Sequence, residues 1–408
     1  VATSTVPARI GLGRDFRLLA SGRVTSQLGD QIQFLALPLL VVALTGSTTQ
    51  AGIVLGAQTI TSLAFGLLAG SLADRWDRKR TMIACDLGRA ALTATIPVAA
   101  LLGPVPMPQL YAVAIANGLL GTLFGAANSS ALPNIVDGKD LTRALAGLGV
   151  IENTVRLAGA SIAGLVYALG RTVPFAANAV TFLISALTLH RIRHSFQQET
   201  GMRQDAPTPR ALLADMREGL TWLWRQPVIR TLALLDAGDA LRYGAGYLLI
   251  IALAANLDAT PTQIGIVFTG AALGALLGNL LAPKLSTRFA LGRLAIAMLW
   301  VEALTFPFYA IAPTWWLLLV VAFAESVVSP VYNVALDSYR LARTPDRMRG
   351  RVTAGIGTVV TGASAIGAIV GGALIAQIGP AVLTWALAGW LAVLATAASL
   401  SGTVRRAR

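Results

Sequence analysis

Charged residues are scarce in this sequence. Of its 408 residues, 12% are charged and 55% are hydrophobic, whereas soluble domains are about 25% charged. Disorder is excluded, because it requires low hydrophobicity and high charge density. A single water-exposed domain is excluded too, since too little polar surface exists to cover its core. Cysteine is nearly absent: Cys85 stands alone, which rules out an intrachain disulfide and any multi-cysteine metal centre. It falls in an apolar stretch and reads as a small packed hydrophobe. Histidine is limited to His190 and His194, spaced i,i+4 among Arg191 and Arg193. Two histidines do not complete a zinc site, so a solvated basic face at a helix end is expected.

Catalytic motifs are missing as well. Gly138-Lys139-Asp140 lacks the rest of a phosphate-binding loop. There is no G-x-S-x-G elbow and no H-E-x-x-H helix. The chain is therefore read as a non-enzyme without metal or cofactor. The first 15 residues hold no apolar run of the length a cleavable leader needs. Acidic residues are outnumbered, 19 against 32 Lys and Arg, for a net charge of +13. In a soluble protein that excess would point to nucleic acid, but the placement of the charges explains it differently.

What the sequence has in abundance is long apolar runs and glycine, 40 residues of it, as in membrane helices that pack closely. A spanning helix needs about 20 mainly apolar residues. Twelve such stretches are read: 17–44, 50–72, 80–102, 109–132, 143–169, 174–191, 228–254, 262–285, 291–312, 314–338, 352–377 and 380–401. The polar, arginine-rich stretch 192–227 divides them into an N-terminal six-helix bundle (1–191) and a C-terminal one (228–408). Within it, Leu212, Leu213, Met216, Leu220 and Leu223 recur at helical spacing, as in an amphipathic helix lying on the inner membrane face or a linker helix packed on the bundle. Outside the spans, every Lys and Arg except Arg171 falls on the termini or the even-numbered connections. By the positive-inside rule both termini and the central linker are cytoplasmic. The lipid bilayer is thus the expected partner, and nucleic acid is not.

The most specific segment joins spans two and three: Gly70-Ser71-Leu72-Ala73-Asp74-Arg75-Trp76-Asp77-Arg78-Lys79-Arg80. Gly66 and Gly70 form a GxxxG, which permits close helix contact. This segment resembles the loop motif of the major facilitator superfamily, roughly G-x-L-a-D-r-x-G-r-[RK], with Asp77 in place of the second glycine. A degenerate copy runs from Gly278 through Pro283 and Arg288 to Arg293. Other passages resemble the bacterial drug-efflux branch that includes macrolide and siderophore (enterobactin) exporters. They are Gly22 to Gly46 with Leu28-Gly29-Asp30, Pro174-Phe175 through Ser185-Ala186, and Gly350-Arg351-Val352 with Gly367 through Gly371-Gly372. Where proton-coupled exporters of this family carry G-P-x-x-G-G in span five, this chain has Gly159-Ala160-Ser161-Ile162-Ala163-Gly164. The resemblance implies an all-α membrane protein, with twelve transmembrane helices in two pseudo-symmetric bundles. It also implies a cavity lined by spans one, four, seven and ten, gating by Gly70, Asp74, Arg75 and Arg78, and close packing at Gly159, Gly164, Gly367 and Gly371.

Charges inside spans are the functional candidates, because each costs roughly 2.5–3.5 kcal/mol at a helix centre on insertion scales. The acids are Asp30, Asp86, Glu152, Asp236, Asp239, Glu302 and Glu325, and the bases Arg23, Arg89, Arg156 and Arg242. Spacing pairs Asp86 with Arg89, Glu152 with Arg156, and Asp239 with Arg242 on single helix faces. Asp30 and Glu325 have no such partner and lie near the bilayer midplane. Asp30, Glu152, Asp236, Asp239 and Glu325 are the candidates for proton coupling or the substrate cavity. Counting unpaired charges predicts a net-negative cavity that prefers cationic or neutral amphiphiles. The expected protein is a monomeric, multi-pass transporter of the inner membrane. It would export small amphiphilic compounds in exchange for protons, the alternative being an importer or facilitator of the same fold.

Overall fold

The computed structural model describes residues 13–135, 141–193, 196, 217–219 and 221–407. Among them there are no strands. Twelve long helices follow in order: α1 (Arg14–Thr45), α2 (Thr48–Arg75), α3 (Arg78–Leu102), α4 (Met107–Ile135), α5 (Leu141–Leu169) and α6 (Val173–His190) in the first half. The second half holds α7 (Pro227–Asn256), α8 (Pro261–Arg288), α9 (Leu291–Ala310), α10 (Trp315–Arg343), α11 (Asp346–Ile378) and α12 (Pro380–Leu400). Nine of them are apolar enough to cross a membrane by composition. The other three, α2, α5 and α7, are as long, at 28, 29 and 30 residues. Of these, α7 carries the charges Arg230, Asp236, Asp239 and Arg242. Several helices run past the apolar limits read from sequence, most often at their basic ends, where water can solvate the extra turn. Most of the proposed linker helix lies outside the described residues, which there comprise helical residues 217–219 and 221–225.

Local chemistry sets the helix ends. Gly46 takes a left-handed conformation (φ 66°) and donates its N–H to the Val42 carbonyl, closing α1. Ser47 then caps α2 by accepting from the Gln50 N–H. Thr260 and Gln263 form a reciprocal capping box on α8. Asp77 caps α3, its carboxylate accepting from the Arg80 N–H at 2.8 Å. That is what the departure from the family's second glycine does here. Two spans are interrupted along their length. In α9 the helix is interrupted at Phe306, before Pro307, and in α10 at Val327, before Pro330. Proline lacks the N–H that would hold the preceding turn. Such breaks persist at membrane depth where they line a cavity or are buried in protein.

The packing pattern of one half repeats in the other. α1 packs on α5 and α6, α2 on α4, and α3 on α4 and α6. Correspondingly, α7 packs on α11 and α12, α8 on α10, and α9 on α10 and α12. The halves meet through α2 with α11 and α5 with α8, again an equivalent pair. This is the twofold relation expected of two repeated six-helix bundles. The cores show how the halves are set. Toward the odd-numbered connections one continuous core contains Leu40, Leu110 and Phe175 of one half with Leu248, Ile264 and Leu383 of the other. Toward the basic ends the cores separate, with Phe16, Met82 and Leu189 in one and Leu232, Leu291 and Leu394 in the other.

Candidate functional site

Between the separated ends lies a cavity of about 1730 Å³ that reaches both halves. It is closed at the far end by close backbone contacts. Thr48 donates its hydroxyl to the Gly372 carbonyl at 2.9 Å, and Ser161 and Thr269 share a hydrogen bond of 2.5 Å. Small residues make this seam possible. A Cβ at Gly164 would lie 3.0 Å from Thr262 Cα and 3.2 Å from Gly265 Cα, and would also overlap the Pro261 carbonyl oxygen. Gly52 and Gly372 oppose each other in the same way across α2 and α11. On the cavity wall, Tyr247 stacks on Phe268 with ring centroids 4.6 Å apart and packs at a tilt against Phe34 at 4.8 Å.

In the first half the charges centre on Arg89. Asp30 on α1 and Arg89 on α3 form an ion pair at 2.5 Å. The guanidinium also stacks on the Phe182 ring of α6, 4.0 Å from its centroid. Gly29 brings α1 close to α6: a Cβ there would lie 3.0 Å from Asn178 Cγ. Asn178 in turn donates to Gln33 at 2.6 Å. The spacing argument therefore misassigned Arg89. It pairs across helices with Asp30, and Asp86 is left fully buried with both carboxylate oxygens lacking a hydrogen-bond partner. Glu152 is reassigned in the same way, pairing with Arg23 of α1 at 2.5 Å rather than with Arg156. Arg156 lines the cavity.

In the second half the charges centre on Arg242. Its guanidinium binds Asp239, one turn back on α7, at 2.8 Å, as the spacing predicts. It also pairs with Glu325 at the break in α10 and lies 3.7 Å from Glu302 of α9. Tyr309, just past the break in α9, donates to the second oxygen of Glu325 at 2.9 Å. Ser329 donates to Glu302 at 3.0 Å. The two interrupted helices thus add Glu302 and Glu325 to the buried arginine that already holds Asp239. Nearer the open end, Asp236 pairs with Arg340 at 2.6 Å and accepts from Tyr332 at 2.7 Å. Sequence reading placed Arg340 in a loop, but α10 continues to Arg343 and carries it to the cavity wall.

Asp30, Asp236, Asp239 and Glu325 line the cavity; Glu152 contacts it through Arg23. The lining corrects the expected net-negative charge. Arg23, Arg89, Arg156, Arg242, Arg340 and Arg349 stand against Asp30, Asp236, Asp239, Glu325 and Asp337. Sequence reading also passed over the neutral polar lining, Gln27, Gln31, Gln58, Asn117, Asn128 and Asn279. The signal was present as amides inside apolar spans, which cost less than charges but still need partners. Of the loop motif, the Asp74 side chain lies outside the described residues, and Arg75 is exposed. A Cβ at Gly70 would meet no atom within 4 Å, because the halves are apart at this end. Arg78 donates to the Ser130 carbonyl of the first half at 2.9 Å and to the Phe196 carbonyl at the start of the linker at 3.2 Å. At the packing glycines, a Cβ on Gly159 would lie 2.6 Å from Gln31 Cβ and one on Gly371 2.7 Å from Ala245 Cα. One on Gly367 would lie 2.8 Å from the Leu241 carbonyl carbon.

Two repeated six-helix bundles around a charged central cavity, closed at one end and open at the other, define a polytopic membrane transporter. The chain belongs to the Major Facilitator Superfamily, whose family pattern matches residues 19–238 and 237–407. It is 28% identical over 368 residues to the multidrug efflux pump Tap of Mycolicibacterium fortuitum, covering 88% of each chain. It is also 28% identical over 384 residues to the enterobactin exporter EntS of Shigella dysenteriae, covering 90% of this chain and 86% of the relative. Among solved structures, the nucleoside transporter NupG superposes with a TM-score of 0.78 at 14% identity, over 97% of this chain and all 100% of that one. That last likeness concerns the fold alone.

Proposed function

We propose that the chain exports small amphiphilic compounds in exchange for protons, through alternating access of residues 1–191 and 228–408 joined by the linker 192–227. The observation that carries this reading is the cavity, open toward the basic ends and sealed opposite them. With the basic ends cytoplasmic, this conformation takes its substrate from the cytoplasm across an inner membrane. The efflux names of the relatives over most of their length support the same direction. Asp30, Glu152, Asp236, Asp239 and Glu325 are the coupling candidates. Each sits in an ion pair, so binding a proton releases a guanidinium and can repack the helices it joined. When the open end closes, Gly70 would meet the other half, and Asp74, Arg75 and Arg78 would hold that contact.

Everted membrane vesicles test the proposal. Imposing an inside-acid gradient should drive uptake of an effluxed dye or antibiotic, and collapsing it with a protonophore should release the compound. Uptake by right-side-out vesicles driven by an inward proton gradient, with none in everted ones, would identify an importer and overturn the reading.

A further inference from the structure

Asp86 stands apart from the cavity groups. It is fully buried, absent from the cavity lining, and neither carboxylate oxygen has a hydrogen-bond partner. An isolated carboxylate in such a place neutralises or finds a cation. The nearest cation on its own helix face is Arg89, one turn along α3; Lys79, two turns back on that face, is held by the His190 and Ile192 carbonyls at 3.0 and 2.7 Å. That guanidinium is committed to Asp30, yet its buried Nε has no acceptor. The groups facing Asp86 from the packed helices are few. α1 contributes Asp30 beyond Arg89, and α6 contributes the Ser185 hydroxyl, which approaches the carboxyl without hydrogen-bond geometry, and the Phe182 ring under the guanidinium. Cys85 is its neighbour on α3, and α4 carries no charged residue.

We propose that Asp86 is a second proton site in the first half, behind the cavity, and that Arg89 is a two-position cation shared between Asp86 and Asp30. This rests on the proton-coupled reading above. In the conformation described, Asp30 is ionised and holds the guanidinium, and Asp86 carries the proton. In the alternative position the guanidinium turns to Asp86. One proton leaves the Asp86 carboxyl and is taken up by the Asp30 carboxylate, relayed by a water molecule from the cavity. Charge and protons balance, since one proton and one cation exchange places. The consequence is mechanical: the tie between α1 and α3 breaks, and a tie within α3 replaces it. α1 is then freed from α3 on the wall of the cavity.

Infrared spectroscopy of the purified full chain in lipid, in water and in deuterium oxide, tests this without a substrate. The wild type should show a buried carboxylic-acid C=O band at neutral pH, and Asp86→Asn should lose the intensity of one carboxyl. Asp30→Asn should lose the same band, because Arg89, released, moves to Asp86 and ionises it. Two results would overturn the proposal. One is a spectrum of Asp86→Asn that keeps the full wild-type band. The other is an Asp86 band that persists in Asp30→Asn. If Asp86→Asn does not fold, absence of the band from the wild type refutes the protonated state, and its loss in Asp30→Asn supports the exchange. Because neither readout involves transport, failure of the export reading in vesicles leaves this test standing, and the converse also holds.

Discussion

A single methyl group at Gly164 should tip the protein out of the conformation described here. The helix seam between α5 and α8 brings Thr262 Cα within 3.0 Å and Gly265 Cα within 3.2 Å of a Cβ at that position, and the Pro261 carbonyl is closer still. Each of these atoms belongs to backbone of the opposite half, so no side chain can rotate away. Gly164→Ala raises intrinsic helix propensity by about 1 kcal/mol, but equally in every conformation, so that gain cancels. The contact does not cancel, because it exists only while this end is closed. Overpacking of a fitted interface costs about 1–3 kcal/mol. At about 1.4 kcal/mol per decade, the ratio of closed-end to open-end molecules should fall roughly five- to 150-fold. Spin labels on cysteines at Thr172 and Asp258, on the two sides of the seam, would report the separation by pulsed electron resonance. The native Cys85 is buried and should not label. Gly389→Ala is the control, since a Cβ there meets nothing within 4 Å. An unchanged distance distribution in Gly164→Ala would refute the claim that these glycines hold the seam.

Other outcomes follow from the charge clusters and the topology. Arg242→Met strands Asp239, Glu302 and Glu325 together and should destabilise the protein by about 3–5 kcal/mol, the usual cost of breaking a buried pair; thermal unfolding in detergent measures it. Asp30→Asn should abolish gradient-driven accumulation in vesicles while the protein still binds its dye, and wild-type pH dependence would remove Asp30 from coupling. Cysteines at Asp258 and Gln377 should react with an impermeant reagent in intact cells and one at Arg225 should not; the reverse pattern would invert the membrane orientation. Glu325→Gln frees Arg242 from one of its carboxylates and should favour an anionic dye over its matched cationic analogue relative to the wild type. An unaltered preference would show that this residue does not set selectivity.

The architecture was legible because membrane insertion writes itself along the chain. Each span must be an apolar run of spanning length, and arginine placement orients it. The halves, the twelve helices and the family follow from those two regularities and from residues 70–80. The charge partners were not legible, for a geometric reason. Helical spacing reveals neighbours on the same helix, and only Asp239 with Arg242 uses that relation among the three pairs it suggested. Arg89 and Arg23 reach instead to α1 and α5, at sequence separations no local rule contains. Glu302 was not among the site candidates, and it does not itself line the cavity, although Met298, Phe306 and Tyr309 of the same helix do. The breaks at Phe306 and Val327 turn its neighbourhood inward. Pro307 and Pro330 were the available signal, since a proline within a span marks freed backbone and a shifted helix axis.

Inter-helix pairing also changes what the cavity can do. Four lining carboxylates, Asp30, Asp236, Asp239 and Glu325, are held by arginines in this conformation. A protonation there does more than delete a negative charge: it leaves a guanidinium on the wall. The cavity therefore becomes more positive with each proton bound, and under the proton-coupled export proposed above a cationic passenger would be repelled by that same event. A proton and a cation then compete for one carboxylate without touching each other, which is the electrostatic requirement of exchange. For a neutral passenger that electrostatic link vanishes, and only the repacking of released helices can couple the two. The amides Gln27, Gln31 and Asn279 would carry recognition in that case, because their dipoles serve a polar uncharged group whether or not the neighbouring pairs are protonated.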